Sequence, residues 1–154
     1  MPLFLVRHAE AGDPKAWTQP DHIRPLTPQG RRQAEALVDL FGGSPITRVL
    51  SSPYVRCVQT VEPLSRALGL EVEETSDLEE NTGPRGLDLI RRLAGSTAVL
   101  CTHGDVVRDV LDALHDHHGL DIPRGYPCAK GSIWVLEGDK SPPAEARYLP
   151  PPAI

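Results

Sequence analysis

Two short apolar segments of this chain end in a histidine, the residue type most suited to covalent and acid–base chemistry near neutral pH. Leu3 to Val6 runs directly into Arg7 and His8, and a second apolar segment runs into His103. A neutral imidazole can act as a nucleophile, and its ordinary pKa of roughly 6.5 leaves it largely unprotonated at pH 7. In open α/β sheets the carboxyl ends of the strands face the ligand crevice. These strand ends are therefore predicted to form an active site.

Further groups near these histidines favour an anion. Arg56 lies at the start of a predicted helix after Ser52, and Gly104 opens the helix that follows His103. A guanidinium group matches phosphate oxygens in bidentate hydrogen bonds, and the free N–H groups of a helix N-terminus attract negative charge. The predicted ligand is a phosphoryl group.

The same residues suffice for phosphoryl transfer. A hydrogen bond at one nitrogen of His8 would hold the ring while the other nitrogen attacks phosphorus. The charge on the equatorial oxygens would be stabilised by Arg7, Arg56 and His103. This chemistry requires no metal ion and no other cofactor.

The leaving oxygen still needs a proton, and the acidic segment after residue 70 can supply it. Glu80 is the predicted donor, with Glu79 as the alternative. A neighbouring phosphate charge favours the protonated form of such a carboxyl group.

Strands and helices alternate along the chain and predict the frame that holds these groups. The apolar patterns predict strands at 3–6, 46–50, 97–102 and 132–136, with short edge strands after residue 70 and at 145–149. Helices are predicted after Thr27, after Pro53, over 87–94 and over 105–118. Gly138 and Asp139 are predicted to form the last turn. This order indicates an α/β fold, a three-layer α/β/α sandwich with a mostly parallel central sheet.

A long connection over 12–25 separates the first strand from the first helix. Connections of this length are often lids or binding loops. We predict that Arg24 and Trp17 within it contact the substrate, although a tryptophan in a long loop is also commonly a hydrophobic anchor.

Composition narrows the class of protein. The 154 residues, 40% of them hydrophobic, fit a single domain over 1–154. The net charge of −5 argues against nucleic acid and anionic membranes as partners. Three cysteines without a Cys-x-x-Cys spacing, and a first strand that begins without a signal peptide or an apolar span, indicate a cytoplasmic protein. The oligomeric state is left open.

Four blocks of sequence resemble a known family. They are LVRHAE at 5–10, RPLTPQGRRQA at 24–34, SSPYVRCVQT at 51–60 and THG at 102–104. In this order they resemble the histidine phosphatase superfamily, also called phosphoglycerate-mutase-like. The resemblance implies that His8 is the phosphorylated nucleophile, that Arg7, Arg56 and His103 bind the phosphoryl group, and that Glu80 donates the proton.

Two branches of that family are similar to this chain. The small size and the segment around Asp21 and Arg24 look like the SixA-type phosphohistidine phosphatases. The segments at 130–136 and 148–151 are similar to the phosphatase domain that some bacteria fuse to a MutT-type Nudix hydrolase. Whether this chain acts together with a separate Nudix-type protein is left open.

Three functions follow from this. The first is hydrolysis of a phosphomonoester, either a small metabolite or a nucleotide. The second is hydrolysis of phosphohistidine on a partner protein. The third is binding of a phosphorylated ligand without turnover.

Overall fold

All six predicted strands form one sheet in a computed structural model that describes residues 1–122, 125–138 and 143–154. The strands are β1 (Leu3–Arg7), β2 (Arg48–Ser51), β3 (Val72–Glu74), β4 (Ala98–Thr102), β5 (Ile133–Glu137) and β6 (Glu145–Leu149). Their order in space is β3-β2-β4-β1-β5-β6. The edge positions predicted for the third and the last strand are confirmed.

The sheet is mostly parallel, as the alternation of elements predicted. β1 pairs with β4, and β2 with β4 and β3, in parallel, whereas β5 runs antiparallel to both β1 and β6. Arg7 at the end of β1 lies opposite Thr102 at the end of β4. His8 and His103 therefore leave the sheet side by side, although they lie far apart in sequence.

Four helices cover the two faces of the sheet. They are α1 (Pro28–Leu37), α2 (Val55–Leu68), α3 (Arg85–Arg92) and α4 (Gly104–His118). Alternate side chains of β1 enter two separate apolar clusters: Phe4 and Val6 pack with α1 and α2, and Leu3 and Leu5 pack with α3 and α4. A strand buried on both faces must be apolar at every position. The predicted three-layer sandwich is confirmed.

Two helix ends illustrate how the sequence sets the boundaries. The Thr27 hydroxyl accepts the Gly30 N–H at 3.1 Å and caps α1, and Pro28 takes the first helical position, where no N–H is needed. α4 ends at His118 and is capped by Gly119, whose φ of 66° is left-handed. α3 begins and ends two residues before its predicted limits of 87 and 94.

Two predictions about local structure need correction, and a third falls on a residue that the structure does not describe. The apolar pattern places Ile46 in the second strand, but its N–H donates to the Ser44 carbonyl, and β2 begins only at Arg48. The acidic side chains after residue 70 predict an exposed loop beyond the short edge strand, yet Leu78 is fully buried and its carbonyl accepts the Thr102 hydroxyl at 2.6 Å. This contact draws the following residues to the end of β4. Asp139 of the predicted turn lies outside the described residues.

The helices of residues 1–122, 125–138 and 143–154 include none with both the length and the apolar character of a membrane span. The same residues hold no group of three or more His, Cys, Asp or Glu side chains placed to bind a metal ion.

Candidate active site

The His8 side chain follows β1 directly and is 6% exposed. Its Nδ1 lies 2.8 Å from the Ala9 carbonyl oxygen. Because a carbonyl only accepts, Nδ1 carries the hydrogen and Nε2 keeps its lone pair. Burial lowers the pKa of His8 and the Ala9 carbonyl opposes this, while the nearby Arg56, His103 and Arg7 also lower it; together these effects bring the pKa to about 3. The ring is thus a neutral imidazole at neutral pH.

The backbone around His8 is anchored to several elements. The His8 N–H donates to the Thr102 carbonyl at 3.0 Å, and its carbonyl accepts the Gly131 N–H at 3.0 Å. The Ala9 N–H donates to the Thr60 hydroxyl at 3.0 Å, and that hydroxyl donates to the Arg56 carbonyl at 2.7 Å. These bonds fix the ring relative to β4 and α2.

This burial makes a prediction about acid stability. The unfolded imidazole takes up its proton near pH 6.5, whereas the folded one does so only near pH 3. The stability associated with neutral His8 is therefore complete above pH 6.5 and is lost as the pH falls. At about pH 4, we expect the wild type to have lost about 3 kcal/mol more unfolding free energy than a His8→Gln variant. Urea denaturation of both proteins at about pH 7.5 and about pH 4 measures this, and equal losses would contradict it.

Arg56 lies in the first turn of α2 and is 1% exposed. Its Nη1 donates to the Asp21 carbonyl at 3.0 Å, and its Nη2 donates to carboxylate oxygens of Asp21 at 3.1 Å and Glu80 at 2.7 Å. The guanidinium carbon lies 4.9 Å from the ring centre of Tyr54. Its Nε is buried without a hydrogen-bond partner among the described residues. One donor of this buried cation thus has no protein partner among the described residues.

The Glu80 carboxylate bridges two of the predicted phosphate-binding groups. Its Oε1 lies 2.7 Å from Arg56 Nη2 and 3.2 Å from His103 Nδ1. A carboxylate oxygen and a phosphate oxygen accept the same kind of charge-assisted hydrogen bond. A bound phosphoryl group would therefore compete with the Glu80 carboxylate for the hydrogen bonds of Arg56 and His103. Glu79 is half-buried and is not part of the described cavity lining.

His103 is 2% exposed, and its ring centre lies 5.7 Å from that of His8. Its Nε2 lies 2.9 Å from the Ser52 hydroxyl and 3.6 Å from the Cys57 sulfur. These two side chains come from the end of β2 and the start of α2. They fix the ring so that Nδ1 is directed at Glu80.

Arg7 lies against the N-terminus of α4. Its Nη1 donates to the Cys128 carbonyl, and its buried Nε has no hydrogen-bond partner among the described residues. A Cβ atom on Gly104 would lie 2.9 Å from Arg7 Cζ. A glycine at this position therefore lets the guanidinium group approach the free N–H groups of the helix.

The two predicted substrate contacts in the long loop take different positions. Arg24 is 7% exposed, lines the same cavity as His8, and donates to the Ala11 carbonyl at 2.7 Å and to Asp21 Oδ1 at 3.1 Å. Trp17 donates from Nε1 to the Pro20 carbonyl at 3.0 Å and lines a neighbouring depression that Arg24 also borders. Burial raises the pKa of Asp21, but hydrogen bonds from Arg24 and Arg56 outweigh it and lower the pKa.

These residues enclose a cavity of about 400 Å³. The cations that line it are Arg7, Arg24, Arg56, Arg108 and Lys130. Its carboxylates are those of Glu80 and Asp105. The cavity is thus rich in positive charge in a chain whose net charge is −5, which suits an anionic ligand. A larger groove of about 670 Å³, formed by α1, α2 and residues 153–154, has no histidine in its lining.

Sequence reasoning missed two of these cations. Arg108 follows Gly104 by four residues on α4, so a helical i, i+4 pattern could have placed it on the same face. Lys130 precedes β5, and no local pattern indicated that β5 lies beside β1.

Comparison with known proteins defines the class of protein. Residues 3–86 match the model of the histidine phosphatase superfamily, branch 1. The chain belongs to this superfamily, and the family predicted from the four sequence blocks is confirmed.

Individual relatives support the SixA-like branch and include a nucleotide phosphatase. The chain is 31% identical to an 8-oxo-(d)GTP phosphatase of Mycolicibacterium smegmatis, over 97% of this chain and 48% of that protein, so it spans about half the length of that relative. It is 27% identical to a phosphohistidine phosphatase SixA homolog of Haemophilus influenzae, over 92% of each chain. A solved structure of the protein histidine phosphatase SixA complexed with tungstate shares the fold, with a TM-score of 0.74 and 22% identity over 97% of this chain and 94% of that one.

Proposed function

We propose that this chain is a metal-independent phosphatase that hydrolyses phosphomonoesters through a phosphohistidine at His8. One observation carries the proposal: Arg56, which is buried, and Arg7, which is half-buried, each have a buried Nε donor without a partner among the described residues, and both line the cavity of a neutral histidine. Buried polar groups are nearly always satisfied, so unpaired guanidinium donors suggest an oxyanion ligand.

In the first half-reaction, His8 Nε2 attacks phosphorus and the bond between phosphorus and the leaving oxygen breaks. Arg7, Arg56 and His103 hold the equatorial oxygens, and the leaving oxygen takes the proton of Glu80. In the second half-reaction, water attacks the phosphohistidine while the Glu80 carboxylate takes the proton of that water. The N–P bond breaks, phosphate leaves, and neutral His8 is restored.

Glu80 is suited to both steps because its present partners are the groups that a phosphoryl oxygen needs. A substrate that engages Arg56 and His103 displaces the Glu80 carboxylate from contacts of 2.7 and 3.2 Å. The displaced group loses its cationic neighbours and gains an anionic one, which favours the protonated acid. Substrate binding thus prepares the proton donor.

The favoured substrate is a small phosphorylated metabolite or a nucleotide. The relative of M. smegmatis, 31% identical, is named for a nucleotide. The second candidate is a phosphohistidine on a partner protein, because the relative of H. influenzae is named a phosphohistidine phosphatase homolog. The third candidate is a binding module that releases no phosphate.

We also infer that residues 1–154 act as one domain in the cytoplasm. Both apolar clusters share the strands of one sheet, and Cys57, Cys101 and Cys128 are all free thiols, which suits a reducing compartment. The acidic net charge disfavours nucleic acid and anionic membranes as partners.

A Glu80→Gln variant separates the candidate substrates. An alkyl leaving group needs its proton, so the variant should lower kcat for an alkyl phosphate by about 10²- to 10⁴-fold. An imidazole leaving group needs less help from an acid, and turnover of a phosphohistidine peptide should change only a few-fold. Phosphate release is measured for both substrates, with Glu79→Gln as the matched control.

Three outcomes decide among the candidates. The favoured substrate is supported if the wild type hydrolyses the alkyl phosphate and the Glu80→Gln variant loses most of that activity. Wild-type activity confined to the phosphohistidine peptide supports the second candidate. Binding of phosphorylated ligands with no phosphate released from any of them would leave only the binding module.

A further inference from the structure

We propose that Arg108 and Lys130 form a second anion subsite at the rim of the cavity, so that the preferred substrate carries another anionic group beside the phosphoryl group transferred to His8. The proposal rests on the proposed function and narrows its substrate class. The leaving group would carry that second anion: a phosphate, as in an organic diphosphate whose terminal phosphoryl group is transferred, or the carboxylate of a short hydroxy acid whose hydroxyl oxygen leaves.

The position of Lys130 follows from the segment over 128–131, which wraps around the end of β1. The Gly131 N–H donates to the Arg7 and His8 carbonyls at 3.1 and 3.0 Å. The Cys128 carbonyl accepts a hydrogen bond from the Arg7 guanidinium group. Lys130 is therefore held next to the proposed nucleophile by backbone contacts on both sides of it.

The Lys130 ammonium group is only loosely engaged. Its Nζ lies 3.4 Å from Glu10 Oε1, and its side chain is 35% exposed. The same Glu10 oxygen also accepts the Gly12 N–H at 3.0 Å. A long and partly exposed ion pair contributes little, so an incoming anion can compete for Lys130.

Arg108 stands one helical turn beyond Gly104, about 6 Å further along the axis of α4. It is exposed and lines the cavity. No hydrogen bond or ion pair of its guanidinium group is found among the described residues, whereas Arg24 and Arg56 both have carboxylate partners. This cation is accordingly free to bind a ligand.

The carboxylates that would ordinarily neutralise Arg108 on its own helix are engaged elsewhere. Asp112, at the i+4 position, accepts the Tyr126 hydroxyl at 2.6 Å. Asp105, at the i−3 position, accepts the Asn81 N–H at 2.8 Å. Helical i, i+3 and i, i+4 pairs are where such ion pairs form. These two carboxylates keep their charge, but their hydrogen bonds to Tyr126 and Asn81 leave the guanidinium group without a hydrogen-bonded carboxylate partner among the described residues.

The size of the cavity agrees with a second group. Its volume of about 400 Å³ corresponds to on the order of ten water-sized groups, at roughly 30 Å³ each. A phosphoryl group fills about half of that space or less. Arg108 and Lys130 both line this cavity, so a second anion bound between them would gain charge-assisted hydrogen bonds that a neutral leaving group lacks.

The test compares kcat/KM for a nucleoside diphosphate, for a phosphorylated short carboxylic acid and for an aryl monophosphate. We expect the wild type to prefer the nucleoside diphosphate or the phosphorylated carboxylic acid over the aryl monophosphate. Which of the two it prefers shows whether the subsite binds a phosphate or a carboxylate. In Arg108→Gln and Lys130→Gln the preference over the aryl ester should fall by about tenfold each, and further in the double variant. Arg31→Gln on α1, exposed and outside this cavity, is the matched control.

An unchanged preference ratio in all three variants would overturn the subsite, even if their overall activity fell. Inorganic pyrophosphate and inorganic phosphate as competitive inhibitors provide a second measurement that requires only the wild type. Pyrophosphate should inhibit at least about tenfold more strongly, and equal inhibition would again refute the proposal.

Failure of the proposed function would look different. If the protein hydrolyses none of the phosphorylated compounds, the proposed phosphatase function is wrong. The subsite can still be tested by calorimetry, which compares the binding of pyrophosphate and of phosphate to the wild type and to Arg108→Gln.

Discussion

His8→Ala is expected to lower kcat/KM for an aryl phosphate by about 10⁴-fold or more, because loss of a covalent nucleophile removes the whole two-step route. The remaining cations would still bind the phosphoryl group, so KM should change far less than kcat. Steady-state kinetics of phosphate release measure both quantities. His117→Ala, which alters an exposed histidine near the end of α4, is the matched control.

Trapping the phosphorylated protein tests the role of His8 without a rate measurement. Wild-type protein quenched during turnover should carry an acid-labile, base-stable phosphoryl group, and His8→Ala should carry none. Activity of His8→Ala within tenfold of the wild type, or a phosphoryl group that persists in it, would show that another residue is phosphorylated.

Arg56→Gln is expected to lower kcat/KM for the same substrate by about 10³- to 10⁵-fold, the range found when a transition-state arginine is lost in phosphoryl transfer. The side chain is 1% exposed and links the long loop to the acidic segment through Asp21 and Glu80. Its loss removes one contact to the phosphoryl group. It also leaves the two carboxylates beside the cavity without this cation, so their negative charge repels the anionic substrate.

The control for this variant lies on the same helix. Arg66 of α2 is 68% exposed and pairs with Glu35 at 3.6 Å, so Arg66→Gln should change kcat/KM less than about twofold. Arg56→Lys should recover only part of the activity, because an ammonium group cannot bind two oxygens in the fork geometry of guanidinium. Equal rates for Arg56→Gln and Arg66→Gln would remove Arg56 from the site.

Local sequence patterns determined the elements and most of the site. Apolar runs placed β1 and β4, and Thr27 with Pro28 placed the start of α1, because strand burial and helix capping depend on neighbouring residues. Strand ends of parallel βα units share one edge of the sheet. His8, Arg56 and His103 could therefore be assigned to one cavity before any coordinates.

Only the tertiary structure decided which remote segments complete that cavity. The order of strands in a sheet depends on packing between distant parts of the chain, and it sets β5 antiparallel to β1 and brings Lys130 to Arg7. Burial of Leu78 against α3 and α4, which turns an acidic segment toward Arg56, likewise depends on residues far away in sequence. The motif thus defined the chemistry, and long-range packing selected the charges that surround it.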